Sequence, residues 1–480
     1  MATPDEGSTP RNLSALQWAG LRLSADSRAR RVVLAFAVYA LCTAVFASVA
    51  GPERLLHHTA FNHYALLADA WLHGRQDLPG GPPSYTMNND FAVYQGKTFV
   101  SFPPLPAMLM LPFVWLAGSP EAFDDGQFVV WLSGLAPAVV FLVLEKLRRT
   151  SRSPRSEFQN VVIALLFAFG SVYFFTAVEG TVWFAALVLG AALSAMFALF
   201  ALDAEQPVMA GVALGCAWLT RPSIALSGIL FVAEALRVSL KGGPPAVGQG
   251  SLPGRLRECW QRLDVSAFLW RCASFAAPIA GALAVVAWLN FVRYARPTPL
   301  YFDHELLNVA WRSRMLKWGL VGYHYLAKNM GIALTSLPWL PPKDGGHAFG
   351  APFKINEHGL ALWFTTPLYL WILWPKSLDS HSERKWLYAV LVLSALGPVL
   401  FGLAYQNSGW RQFGYRFSND YSVLLFLLLA IGGRPMRGLF AAAAVWSVVW
   451  NTFGAVTFDR VVYDRFYYRD GTQTIVYQPD

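Results

Sequence analysis

From Arg31 to Phe458 the chain alternates long apolar runs with short polar or basic connectors. The runs lie near the ~20 residues that an α-helix needs to cross about 30 Å of hydrocarbon. They predict spans near 32–50, 128–147, 160–177, 181–202, 207–220, 222–238, 272–292, 359–374, 386–404, 421–433 and 438–456, about eleven in all. The apolar piece from Pro104 to Gly118 is shorter and carries Pro104, Pro106 and Pro112, so it is expected to be juxtamembrane or re-entrant. The runs are too long and continuous for the alternating strands of an outer-membrane barrel. No internal repeat supports an inverted-repeat transporter. The fold class expected is therefore all-α and polytopic.

Composition sharpens this. Of 480 residues 55% are hydrophobic and 14% charged, against about 25% charged in ordinary soluble domains. The net charge of +9 follows the connectors, since Lys and Arg collect in cytoplasmic loops whatever a membrane protein does. Nucleic acid is not needed to explain it. Arg11, Arg22, Arg28 and Arg30 place residues 1–30 inside as a cytoplasmic tail, and the first helix is expected to stay as an anchor. Lys146, Arg148, Arg149, Arg152 and Arg155 then fall inside, as do Arg237, Lys241, Arg255, Arg257 and Arg262 of a basic loop at 241–271. Two large segments, 51–127 and 293–357, share the outer face with a Tyr-rich tail at 461–480. The first membrane module runs over 31–240 and the second over 272–460. Cys42, Cys216, Cys259 and Cys272 form neither a disulfide framework nor a CxxC metal pair.

The outer side holds the candidate chemistry. Wound at 100° per residue, His57 to His73 puts His58, Asn62, Asp69 and His73 on one stripe and Phe61, Tyr64, Ala65, Ala68, Trp71 and Leu72 opposite. This predicts an amphipathic helix lying on the membrane surface. Asp69 and His73, at i and i+4, could share a proton or a divalent cation, magnesium or manganese, although one such pair is a weak metal signal and no metal ligand set is written in the chain. Asp90 follows Asn88 and Asn89, where a carboxylate either deprotonates a hydroxyl or closes an Asx turn.

Two stretches, Phe61-Asn62-His63-Tyr64-Ala65 and Phe102-Pro103-Pro104-Leu105, resemble the first outer loop of bacterial GT-C glycosyltransferases, integral-membrane enzymes that use lipid-phosphate sugars. In the branches that attach mannose to proteins or aminoarabinose to lipid A, that loop opens with an Asp-Glu pair before a Tyr-Ala step and later reads Lys/His-Pro-Pro-Leu. Here the Tyr-Ala and Pro-Pro-Leu parts match and the acidic pair does not. The resemblance implies a GT-C-like bundle. It also implies that Asp90, or Asp69, serves as the base. The acidic turn at Glu179 and the turn Leu219-Thr220-Arg221-Pro222 extend the likeness, and Glu179 joins the catalytic candidates.

A polyprenyl-phosphate donor needs cations at the outer interface, and arginine meets phosphate oxygens in bidentate fashion. Arg221 stands at a Pro-broken turn; Arg411 and Arg416 alternate with Trp410, Phe413, Tyr415 and Phe417 just before a span. Such a loop holds a phosphate and a sugar face, or anchors an interfacial belt. Tyr415, Asn62, His73 and Lys97 complete the substrate-binding candidates, with Arg293 and Arg296 as weaker ones. His304-Glu305-Leu306-Leu307-Asn308 lacks the second imidazole of a zinc protease. Taken together, the residues and the resemblance predict a multi-pass transferase of the bacterial plasma membrane. It would move a sugar from a polyprenyl-phosphate donor to a glycan, lipid or protein acceptor at the outer face, amid membrane lipids and without nucleic acid. The alternatives are a transporter or flippase for lipid-linked sugars and a non-catalytic partner in envelope assembly. Few polar groups, chiefly Asn290 and Glu234, lie within the spans to serve a transport path.

Overall fold

A computed structural model describes residues 27–88, 90–242, 252–309, 311–340, 351–376, 378 and 382–468. Most of the N-terminal tail, residues 243–251 of the basic loop and residues 469–480 of the C-terminal tail lie outside the described residues. Among the described residues, seven helical stretches are long and apolar enough to cross a membrane. They are α1 (Arg28–Ala50), α4 (Asp125–Arg149), α6 (Val182–Ala201) with the turn after it, α8 (Ile229–Ser239) with its 3-10 lead Pro222–Gly228, α9 (Val265–Tyr294), α10 (Ser382–Ala404) and α12 (Leu439–Thr457).

Length alone therefore does not give the eleven spans expected. Three of the other four are the short helices α5 (Glu157–Phe169), α7 (Pro207–Trp218) and α11 (Asn419–Ile431). The fourth, 359–374, is not a helix of spanning length: Pro367 removes a backbone donor, and the chain descends as a four-residue turn, Leu362–Thr365, and a 3-10 segment, Pro367–Leu373. It still links the same two ends, since Leu360 N bonds Phe413 O and Lys376 N bonds Gly432 O. The Pro104–Gly118 piece forms α3 (Leu105–Ala117), 13 residues and so roughly 20 Å long, too short to cross.

The up-and-down path sorts the helix ends into two groups. At one end the starts of α1 and α5 meet through Arg30 and Glu157, 2.6 Å apart, and Arg155 donates to Ala430 O at the end of α11. This end carries the basic connectors. At the other, Arg54 donates to Val178 O and Phe458 O, and Arg221 pairs with Asp420 at the start of α11.

α6 is apolar all round and buried along nearly its whole length, as a central helix must be. α7 and α9 pack through Gly211 and Gly215, a small-xxx-small pair in the sequence. A Cβ at Gly211 would stand 2.2 Å from Phe275 O, so only glycine allows that approach.

The first large connector departs from expectation. Its helix, α2 (His63–Leu72), starts six residues later than the stripe implied, and His63, Tyr64, Ala65, Leu66, Leu67, Ala68 and Ala70 are all buried. It packs on α3 inside the protein and does not float on a surface, because Leu66 and Leu67 give it apolar contacts on more than one side. After it comes a hairpin, β1 (Phe91–Tyr94) and β2 (Lys97–Val100), closed by Gln95 and Gly96. Both turn residues have positive φ, 49° and 74°, the geometry that matches strand twist in a two-residue hairpin.

Candidate active site

A cavity of about 500 Å³ opens at the second end, between the starts of α6 and α11, the ends of α7 and α10 and the segment after α9. Aromatic rings stand in every wall, among them Trp183, Trp218, Trp311, Phe401 and Phe417. Such rings suit the face of a sugar.

Asp90 reaches this cavity from the foot of the hairpin. Its φ of 63° is left-handed, a region that Asp tolerates better than most residues. Two bonds hold it there: Trp183 Nε1, on the first turn of α6, donates to Oδ2 at 3.0 Å, and Ser101 Oγ donates to the Asp90 carbonyl at 2.8 Å. The carboxylate is thus registered against a central, largely buried helix of the bundle. Burial pushes its pKa up, while the indole bond and the charge of Arg416 pull it part of the way back.

Arg416 lines the same cavity and is only 5% exposed. Gln412 Oε1 accepts from its backbone N–H at 2.8 Å, and Gln412 Nε2 is itself held by the carbonyls of His358 and Ser408. The guanidinium lies over the rings of Phe184 and Phe417, at 4.9 and 5.8 Å. Among the described residues it forms no ion pair, and Nε is buried without a hydrogen-bond partner. Burial and then Arg221 push its pKa down to about 9. A buried guanidinium without a counter-charge is costly and suits an anion in the cavity.

Arg221 also lines the cavity but is already neutralised. Nε and Nη2 grip Asp420 at 2.9 and 2.6 Å, and Ser223 Oγ donates to the same carboxylate at 2.6 Å. Room for the arginine comes from Gly190 on α6, where a Cβ would stand 2.8 Å from Arg221 Cγ.

A second acid stands in the cavity wall. Asp303 is buried on the segment after α9, and burial pushes its carboxyl up to about 7, with Arg293 and local backbone amides opposing. His304 beside it has Nδ1 buried and unbonded, and Tyr64 presents an unbonded hydroxyl. Sequence reasoning tested His304 only against a zinc motif and passed over Asp303. The available signal was a cluster of ionisable residues just after a span.

Other candidates lie elsewhere. Asp69, half-buried, and His73, its imidazole 58% exposed, form a pair at 3.4 Å, and neither lines the cavity. Glu179 is buried outside it, 2.9 Å from Arg54, and burial raises its pKa to about 8 even with that partner. Asn62 is buried beneath the site, donating to Pro120 O at 3.2 Å and accepting from Tyr85 at 3.3 Å. Arg411 turns outward to Asp459, 2.5 Å away. Tyr415 points into a small apolar cluster and bonds Gly402 O at 3.2 Å. Lys97 belongs to a different cavity beside the hairpin. Among the described residues no three His, Cys, Asp or Glu side chains converge as metal ligands would.

No family model and no curated protein matches the chain. Solved structures of an Archaeoglobus fulgidus oligosaccharyltransferase are similar to it. The crystal form tethered to an acceptor peptide with the NVT sequon aligns over 87% of this chain and 55% of that one, at 13% identity and a TM-score of 0.42. The apo form aligns over 87% and 56%, at 13% identity and a TM-score of 0.40. The archaeal oligosaccharyltransferase AglB of the same organism, in complex with an inhibitory peptide and a dolichol-phosphate, gives 12% identity, the same coverage as the apo form and a TM-score of 0.42. The chain spans little more than half the length of these proteins. At such identity the alignments assign no residue a role.

Proposed function

We propose that the protein is an integral-membrane glycosyltransferase of the GT-C kind. It moves a sugar from a polyprenyl-phosphate donor to an acceptor hydroxyl at the outer face of the bacterial plasma membrane. The observation that carries this is one cavity holding both a half-buried carboxylate, Asp90, and a buried guanidinium without an ion pair, Arg416. The basic connectors at the opposite end of the bundle support a cytoplasmic position for that end and an outer one for the cavity.

In the reaction the acceptor oxygen attacks the anomeric carbon as the bond from that carbon to the phosphate oxygen breaks. The hydroxyl proton passes to Asp90, whose raised pKa makes it a better base than an exposed aspartate. Arg416 meets the charge that develops on the departing lipid phosphate, and the aromatic walls exclude water and flank the sugar. Arg221, fixed by Asp420, shapes the cavity and adds little net charge.

The test is transfer of radiolabelled sugar from synthetic polyprenyl-phosphate donors to membrane extract by the purified protein. Transfer that vanishes in Asp90→Asn supports the assignment. Absence of transfer with every donor, under conditions where the donors bind, rejects it in favour of a carrier.

A further inference from the structure

Beside the hairpin lies a second cavity, of about 430 Å³, between the end of α2, the β1–β2 turn and the last turn of α9. Three cations line it, Arg75, Lys97 and Arg293, against one carboxylate, Asp77. Among the described residues none of these cations forms an ion pair. Arg293 is the deepest, 9% exposed. Its Nε donates to Gln76 Oε1 and its Nη1 to Val100 O, both at 3.3 Å, while Nη2 is buried with no hydrogen-bond partner. Asp303 acts on it only from beyond ion-pair distance. Uncharged partners at long range do not compensate a guanidinium taken out of water. Nor is the arginine a snorkelling helix anchor, since its head is buried.

We infer that this basin is a second anion site, built to take a phosphate group between Arg293 at its floor and Lys97 and Arg75 at its sides. Three cations match the several acceptor oxygens of a phosphate, and guanidinium and ammonium groups are the side chains that bind it most strongly. The inference stands whether or not the main cavity is a transferase site. It has a mechanical corollary for that cavity all the same. Arg293 holds Val100 O, and the next residue, Ser101, holds the carbonyl of Asp90. A phosphate that clamps Lys97 to Arg293 therefore clamps β2 at both ends, and with it the Ser101 hydroxyl that holds the foot carrying Asp90.

The test uses the full-length protein in an uncharged maltoside detergent and radiolabelled inorganic phosphate, with Arg416→Gln in the background so that the main cavity does not contribute. Saturable uptake is expected. Adding Lys97→Gln should weaken it by about tenfold, as for loss of one charged hydrogen bond, and Arg75→Gln should weaken it further. Both side chains lie at the surface, so these variants fold even where Arg293→Gln does not. Added phosphatidylglycerol identifies the source of the phosphate: displacement of the label points to a lipid headgroup, and indifference points to a soluble phosphate group. Either result is compatible with the site. Loss of all uptake with Arg416→Gln alone, or uptake unchanged by Lys97→Gln and Arg75→Gln, overturns it.

Discussion

The two ends of the bundle handle buried charge in opposite ways. At the basic end Arg152, 1% exposed, makes bonds of 2.6 and 2.7 Å to Glu234, and its Nη1 lies 3.0 Å from Asp203. Arg237 joins the same two carboxylates, and Lys146 closes the group on Asp203 and Glu205. Each of these cations has its anion, and Arg155, buried at the same end without a carboxylate, gives all three guanidinium nitrogens to the carbonyls of Leu429, Ala430 and Arg434. At the cavity end Arg221 is matched to Asp420, yet Arg416 close by has aromatic rings in place of a carboxylate. A fold under selection for stability alone would treat both ends as it treats the first. On the proposed function, the difference marks where stability is given up for a ligand.

Four measurements sharpen or break the comparison. The largest effect is expected from Asp90→Asn, which keeps the shape of the cavity and removes its base. Transfer should fall by roughly 10²–10⁴ with the melting temperature unchanged; near wild-type turnover would move the role to Asp303. Next is Glu234→Ala, which strands Arg152 and Arg237 in a buried setting and should cost about 3–5 kcal/mol of stability. Thermal unfolding of the purified protein checks this, and a melting temperature like that of the wild type would show the network to be dispensable.

Arg416 should respond the other way. Arg416→Gln is expected to leave stability level or improved while donor affinity drops, and Arg416→Lys to lose affinity about tenfold because an ammonium lacks the planar fork. If both variants bind donor as the wild type does, Arg416 is not the phosphate ligand. The fourth measurement concerns pH. The folded pKa of Asp303 is raised to about 7, so the folded state binds a proton that the unfolded chain has already released. Stability should therefore be lost as pH rises from about 4 to about 7. Asp303→Asn should flatten that part of the curve, and a variant whose melting temperature follows the wild-type pH dependence throughout would remove Asp303 from the account.

Much of the bundle could be read from the chain because hydrophobic length and basic connectors are one-dimensional signals. The helices α1, α4, α6, α9, α10 and α12 follow from them directly. The crossing at 360–376 has the right composition, but composition does not say whether a proline-bearing stretch winds as α or 3-10. At the site, Asp90 and Arg416 were legible as a carboxylate among asparagines and a cation among aromatics. Pairing was not. Arg221 finds Asp420 across 199 positions and Glu179 finds Arg54 across 125, and no local pattern announces which cation will be claimed by an acid and which left unclaimed. The stripe over His57 to His73 misleads for a related reason: its apolar side reads as one that faces lipid, whereas α3 covers it.

The contact at Gly211 sets how the cavity can breathe. With backbone against backbone, α7 and α9 cannot slide past one another, so Trp218 at the end of α7 and the Leu300 to His304 stretch that follows α9 form one unyielding wall. The opposite wall is built from Phe401 to Asn407, where Gly322 N bonds Ala404 O and Gln406 N bonds Leu320 O. α10 itself is packed as closely further along, where a Cβ at Gly397 would stand 2.7 Å from Leu226 Cβ and 3.1 Å from its carbonyl oxygen. On the proposed function, a bulky lipid-borne substrate therefore enters between two walls that are each pinned at a glycine, Gly211 on one side and Gly397 on the other.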